Sequence, residues 1–112
     1  AFDVVSSQLS LILKNFSEQE FSNIVIAYEP VWAIGTGLTA SASDAQQMHQ
    51  HIRNLITESF NAELANNISI IYGGSCKPQN AKELFSQEDI DGGLIGGAAL
   101  QYESFMSIVK AF

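Results

Sequence analysis

Residues Ala27 to Gly37 read AYEPVWAIGTG, and the apolar stretch Ile24 to Tyr28 leads into them without a break. A short unbroken apolar run of this kind suits a parallel strand covered on both faces, and Glu29 stands where such a strand ends. Parallel α/β sheets place their chemistry at the carboxyl ends of the strands, in the loops beyond them. Pro30 fixes φ at the start of the loop, Val31 to Ile34 add apolar cover that includes Trp32, and Gly35 and Gly37 permit backbone angles that other residues resist. The segment therefore reads as a hinged apolar flap beside a carboxylate. Shielded from water, a carboxylate loses solvation of its charged form, so its pKa rises toward the range where it takes a proton at neutral pH. The plainer reading of the same residues is a strand end with an ordinary solvated glutamate.

Outward from this stretch, helices and strands alternate, the pattern of an α/β fold with a parallel sheet. Val5, Leu9, Ile12 and Phe16 fall at three- and four-residue intervals and predict a helix over 3–16. Ala45, Met48, Ile52, Leu55 and Ile56 predict a longer helix over 43–60 whose apolar face packs on the sheet, with Ser43 and Gln46 as a capping box. Strands are expected over 24–28, 68–72 and 92–95, and further helices over 79–85 and 102–111. Ser17 to Ser22 reads as a loop, and no internal repeat, low-complexity tract or linker divides the chain. His49 and His51 lie off the apolar stripe of the long helix and are expected to face solvent, away from the strand ends where chemistry belongs. Lys14, Arg53, Lys77, Lys82 and Lys110 fall on helices or helix starts, and Arg53 with Asp91 is placed for a helix-to-strand ion pair.

Composition narrows the function classes. The chain is 46% hydrophobic with a mean hydropathy of +0.11, yet no apolar run approaches the roughly 18 residues a membrane helix needs. It reads as a soluble chain with no membrane partner. A net charge of −7 with five Lys and Arg residues argues against nucleic acid, whose phosphates are bound mainly through those side chains. The single cysteine, Cys76, cannot form an internal disulfide, which fits a reducing, cytoplasmic compartment. The sequons Asn15-Phe16-Ser17 and Asn67-Ile68-Ser69 read as chance matches.

An anionic ligand of so acidic a chain needs local help, which backbone N–H groups supply where glycines let the chain approach closely. Gly73, Gly74 and Ser75 follow the second strand, while Gly96 and Gly97 follow Leu94 and Ile95 of the third and precede a short helix. One glycine pair alone reads as a tight turn. Two such loops, each after an apolar strand, speak for an anion site.

Three segments, AYEPVWAIGTG at 27–37, IYGGS at 71–75 and IDGGLIGGAAL at 90–100, together resemble the triosephosphate isomerase family in content and order, and the likeness runs over essentially all 112 residues. Departures are Cys76, where aliphatic or small residues are common, and Ala99, where the family often has Ser. The resemblance implies an α/β fold that is the carboxyl-terminal part of a (β/α)8 TIM barrel, three parallel strands with flanking helices, with residues 1–112 forming a portion of a single barrel domain. It implies interconversion of dihydroxyacetone phosphate and D-glyceraldehyde 3-phosphate, a step of glycolysis and gluconeogenesis, in a cytoplasmic homodimer. Glu29 matches the catalytic base. Triosephosphate isomerase is itself the standard worked case of a glutamate base paired with a neutral imidazole electrophile under a closing lid. Gly35, Ser75, Gly96 and Gly97 match positions whose backbone holds the substrate phosphate, and the loops after the last two barrel strands commonly form such a site. Pro30, Trp32 and Gly37 belong to the lid; Tyr72 and Ser75 match its hydrogen-bonding partners near Ala40 and Gly37, and Ile34 and Leu94 the apolar pair that clamps the glutamate. No metal or organic cofactor is implied. The family's electrophilic histidine and substrate-contacting lysine have no counterpart in this chain.

A complete barrel of this kind takes about 250 residues and about eight strands. With 112 residues and Ala1 rather than Met at its head, the chain is expected to be a processed, proteolysed or renumbered carboxyl-terminal portion, inactive alone and doubtful as a native-like dimer. Three other readings compete. The chain could be a non-catalytic fragment that associates with itself, or with the missing amino-terminal part, to cover open sheet edges. Another barrel enzyme with a double-glycine phosphate site is opposed by the lid sequence, and a lone phosphate-binding module would need no Glu29.

Overall fold

Three short strands lie side by side in one parallel sheet of order β1-β2-β3. The computed structural model describes residues 2–31 and 40–112. In chain order these form α1 (Phe2–Asn15), α2 (Glu18–Phe21), β1 (Ile26–Tyr28), α3 (Ala42–Ser59), α4 (Ala62–Asn67), β2 (Ile70–Tyr72), α5 (Pro78–Phe85), β3 (Gly92–Gly93), a 3-10 turn over Gly97–Leu100 and α6 (Tyr102–Val109). The register pairs Ile26 with Ile70 and Tyr28 with Tyr72, then Ile71 with Gly92 and Tyr72 with Gly93. Every strand runs in the same direction because a helix returns the chain between them, as parallel pairing requires.

Side chains alternate across a strand, and here only one face is covered. Ile70 and Tyr72 are buried and Ile26 and Tyr28 half-buried, whereas Ala27 is exposed and Ile71 half-buried. This corrects the expectation of a strand covered on both faces: the apolar run is set by a face that stays open among the described residues. The covered face holds two cores. One joins Leu9 of α1, Phe21 of α2, Met48, Ile52 and Ile56 of α3 and Ile70 of β2. The other joins Ala42 and Ala45, Tyr72, Leu84 of α5, Ile90 and Ile108 of α6. Each aliphatic side chain fully withdrawn there contributes about 1.5–3 kcal/mol.

The long helices form where the apolar spacing predicts them, but local details differ. Ser17 to Ser22 is not a loop. Glu20 N–H donates to Ser17 Oγ at 3.1 Å while Ser17 N–H donates to Glu20 Oε1 at 3.0 Å, a capping box that seeds α2 and drops Phe21 into the core. A single turn is too short to show periodicity, so only the cap could have given it away. The same holds for α4, where Asn61 Oδ1 accepts from Leu64 N–H at 2.8 Å. The cap of α3 is Ser41 rather than Ser43, with Asp44 N–H donating to Ser41 Oγ at 3.0 Å. Ala42 and Ala45 are both buried, so the helix starts early enough to bring both alanines against the core. Strand β3 ends at Gly93 rather than at 95. Among the described residues, no helix is long and apolar enough to cross a membrane.

Candidate functional site

The register that aligns Tyr28, Tyr72 and Gly93 brings the next residues, Glu29, Gly73 and Leu94, out of the sheet at one level. Gly73 N–H donates to the Tyr28 carbonyl at 2.6 Å and Leu94 N–H to the Tyr72 carbonyl at 2.9 Å, so each strand end is tied to the loop of its neighbour. Glu29, Pro30, Tyr72, Ser75, Leu94, Gly96 and Gly97 all line one cleft of about 670 Å³ over these ends. Glu29 and Ser75 are exposed, Pro30 is buried, and Leu94 is 60% exposed. Trp32, Ile34, Gly35 and Gly37 lie outside the described residues, so the flap expected from the sequence does too.

The two glycine loops differ in what makes them glycine. A Cβ on Gly74 would lie 2.2 Å from the Tyr72 hydroxyl oxygen, so the tyrosine ring occupies the space a side chain would fill. A Cβ on Gly96 or Gly97 would meet nothing within 4 Å among the described residues. Protein packing therefore does not account for glycine at these two positions. Bare backbone facing a cleft allows close approach of a ligand to the N–H groups, and the 3-10 turn begins there, at Gly97. Tyr72 is 1% exposed and its hydroxyl has no hydrogen-bond partner among the described residues. Burial, with smaller contributions from Tyr28 and Cys76, pushes the Tyr72 phenol up to about 12, so it stays protonated and able to donate. Ala40 lines the same cleft, where the lid partner of Tyr72 was expected. Burial likewise pushes the Cys76 thiol up, which keeps it from acting as a thiolate.

Elsewhere the site reading needs correction. His49 does not face solvent: it is 0% exposed and packs against the rings of Tyr28 and Tyr72. It stands four residues after Ala45 and three before Ile52, within the apolar stripe, and only its polarity suggested otherwise. Its Nδ1 lies 3.0 Å from the Asp89 carbonyl, which can only accept, so the proton is on Nδ1, and Nε2 has no partner among the described residues. Burial is the main cause that holds the His49 pKa below its ordinary value. His51 is half-buried, 2.8 Å from Ser6 Oγ and against the Phe2 ring. Neither histidine lines the cleft.

Arg53 does reach Asp91, at 2.7 Å, and also pairs with Asp89 at 2.8 Å. The second partner went unnoticed because nothing in the sequence shows that Asp89 is buried. Lys77 and Gln79 at the start of α5 and Ser104 of α6 line the cleft as well. Position two residues after the YGGS segment was the one signal that could have flagged Lys77. Among the described residues, no group of three or more His, Cys, Asp and Glu side chains gathers as a metal site.

A sequence profile of the family described as triosephosphate isomerase matches residues 1–112. The chain is similar to the triosephosphate isomerase of Phocaeicola vulgatus, 56% identical over 110 residues, covering 98% of this chain and 43% of that protein. It is likewise similar to the triosephosphate isomerase of Flavobacterium johnsoniae, 56% identical with 98% and 44% covered. That of Porphyromonas gingivalis is 53% identical over 111 residues, with 99% and 44% covered. The chain thus spans less than half the length of the curated relatives it matches. With its parallel three-stranded α/β sheet and a match along its whole length, the chain belongs to the triosephosphate isomerase family.

Proposed function

We propose that this chain carries the base and the phosphate loops of a triosephosphate isomerase, as the carboxyl-terminal portion of a single barrel domain. The observation that carries the reading is the convergence of Glu29, Ser75, Gly96 and Gly97 on one cleft. Glu29 removes a proton from the carbon beside the substrate carbonyl and returns it to the neighbouring carbon, which interconverts dihydroxyacetone phosphate and D-glyceraldehyde 3-phosphate. The glycine loops hold the phosphate through backbone dipoles, which compensates for the scarcity of cations. The electrophile that polarises the carbonyl and the lysine that contacts the substrate come from the amino-terminal part of the complete enzyme. That enzyme is a cytoplasmic homodimer serving glycolysis and gluconeogenesis.

A second reading has its own support. An apolar groove of about 590 Å³ runs between α1 and β1, lined by Val5, Leu9, Ile12, Ile26 and Val31, and it shares Glu29 with the cleft. In this reading the chain by itself is a non-catalytic fragment whose groove is covered by the missing amino-terminal part or by another copy. Isomerase assay of the purified chain with D-glyceraldehyde 3-phosphate, beside Glu29→Gln, separates the two. Activity lost in the variant supports an assembled enzyme; a folded but inactive chain supports the fragment. Activity that survives Glu29→Gln overturns the assignment of the base.

A further inference from the structure

Among the residues lining the cleft, Lys77 is the one cation and Glu29 the one carboxylate. The ion pairs among the described residues are both made by Arg53, so the Lys77 ammonium is uncommitted. Its backbone, by contrast, is held. Lys77 N–H donates to Asn80 Oδ1 at 2.7 Å, and Asn80 Nδ2 donates back to the Ser75 carbonyl at 3.2 Å, so one side chain staples the turn that carries both residues. Between them Cys76 is buried in the core while Ser75 and Lys77 are exposed, which anchors the turn and leaves its two flanking side chains on the cleft side.

The chain's charge of −7 repels an approaching anion, and a cation at the rim opposes that field locally. We infer that Lys77 is the cation that draws the anionic group of the ligand into the cleft and over the Gly96–Gly97 loop. The inference rests on the anion-binding role proposed for the same cleft. Lys77 acts here as a rim charge, contributing to encounter and affinity rather than to chemistry, and rim charges are read chiefly through the salt dependence they confer.

The test is titration of the full chain with inorganic phosphate at increasing NaCl, followed through the backbone amide resonances of Gly96, Gly97 and Ser75. In the parent chain these amides respond and affinity falls as salt rises. Lys77→Gln is expected to weaken binding about two- to fivefold at low salt and to flatten the salt dependence, the size of a solvent-exposed charge contact. Lys77→Arg, which keeps the charge, retains the parent behaviour. Because Lys77 is exposed, neither substitution removes core packing. If Lys77→Gln binds as the parent does while the glycine amides still respond, the inference fails and the loop reading stands. If Lys77→Arg loses as much as Lys77→Gln, charge is not the cause and the inference also fails. No amide response in the parent chain overturns both.

Discussion

At the amino ends of β2 and β3, Arg53 donates to Asp89 and Asp91 and to the carbonyls of Ala65 and Ile68, while Asp91 also accepts from Ile70 N–H at 2.8 Å. At the carboxyl ends of the same strands, among the described residues, the Tyr72 hydroxyl has no partner and Gly96 and Gly97 meet no neighbour. A buried polar group without a partner costs about 1–3 kcal/mol; among the described residues the Arg53 guanidinium is met by four acceptor residues at one end of the strands, while the Tyr72 hydroxyl is unmet at the other. Barrel architectures divide in the same way, with stability at the amino face and chemistry at the carboxyl face. One arginine here clamps α3, α4 and the approach to β3; among the described residues nothing equivalent closes the cleft.

Substitutions can break or sharpen this contrast. The largest effect is expected from Glu29→Gln, which deletes the proposed base and keeps its shape. Isomerase turnover of the assembled enzyme should fall about 10²- to 10⁴-fold, the usual worth of a positioned base, with thermal unfolding unchanged. A similar loss of stability would mean that Glu29 is structural. Next comes Arg53→Met, which leaves Asp89 and Asp91 facing each other without a cation. Removing one partner of a buried network costs about 3–5 kcal/mol, and the partial exposure of Asp91 places this near the lower figure. Urea unfolding should record that loss while phosphate still shifts the Gly96 and Gly97 amides of the folded fraction; a loss below about 1 kcal/mol would reduce the network to a surface feature.

A smaller effect separates the two glycine loops. Gly74→Ala must displace the Tyr72 ring and should cost about 1–3 kcal/mol as an overpacked site, visible in the near-ultraviolet dichroism of the tyrosines. Gly97→Ala should stay within about 0.5 kcal/mol of the parent and yet weaken phosphate binding. Equal stability losses in the two variants would erase the distinction drawn between packing and ligand approach. The smallest effect belongs to His49. Its folded pKa lies below the ordinary value of 6.5, chiefly through burial, so the unfolded chain takes up a proton more readily. Its stabilising contribution is complete above about pH 6.5 and declines as pH falls from there through the folded value. His49→Phe should flatten the unfolding midpoint over that window, and an unaltered pH profile would show that other groups set it.

The long helices, the parallel strands and the glycine loops after the second and third strands were legible because each is written in a few neighbouring residues. Val5, Leu9 and Ile12 state their helix locally, and Glu29 after an apolar run states a strand end. Where reading failed, the deciding contacts were distant. His49 is buried because the sheet brings Tyr28 and Tyr72 around it, and Asp89 is buried because Arg53 reaches it from α3. Single-turn helices escaped notice because four to six residues carry too little periodicity.

The sequence by itself determined the parallel α/β class through its apolar spacing, and its three motifs carried the resemblance to the family. Only the tertiary structure decided that Glu29, Ser75, Lys77, Gly96 and Gly97 share one cleft and that, among the described residues, one face of the sheet stays open and the Tyr72 hydroxyl has no partner. The reason is physical: periodicity is a property of one segment, whereas a site is set by the register of several strands, and register is fixed by packing between segments far apart in the chain.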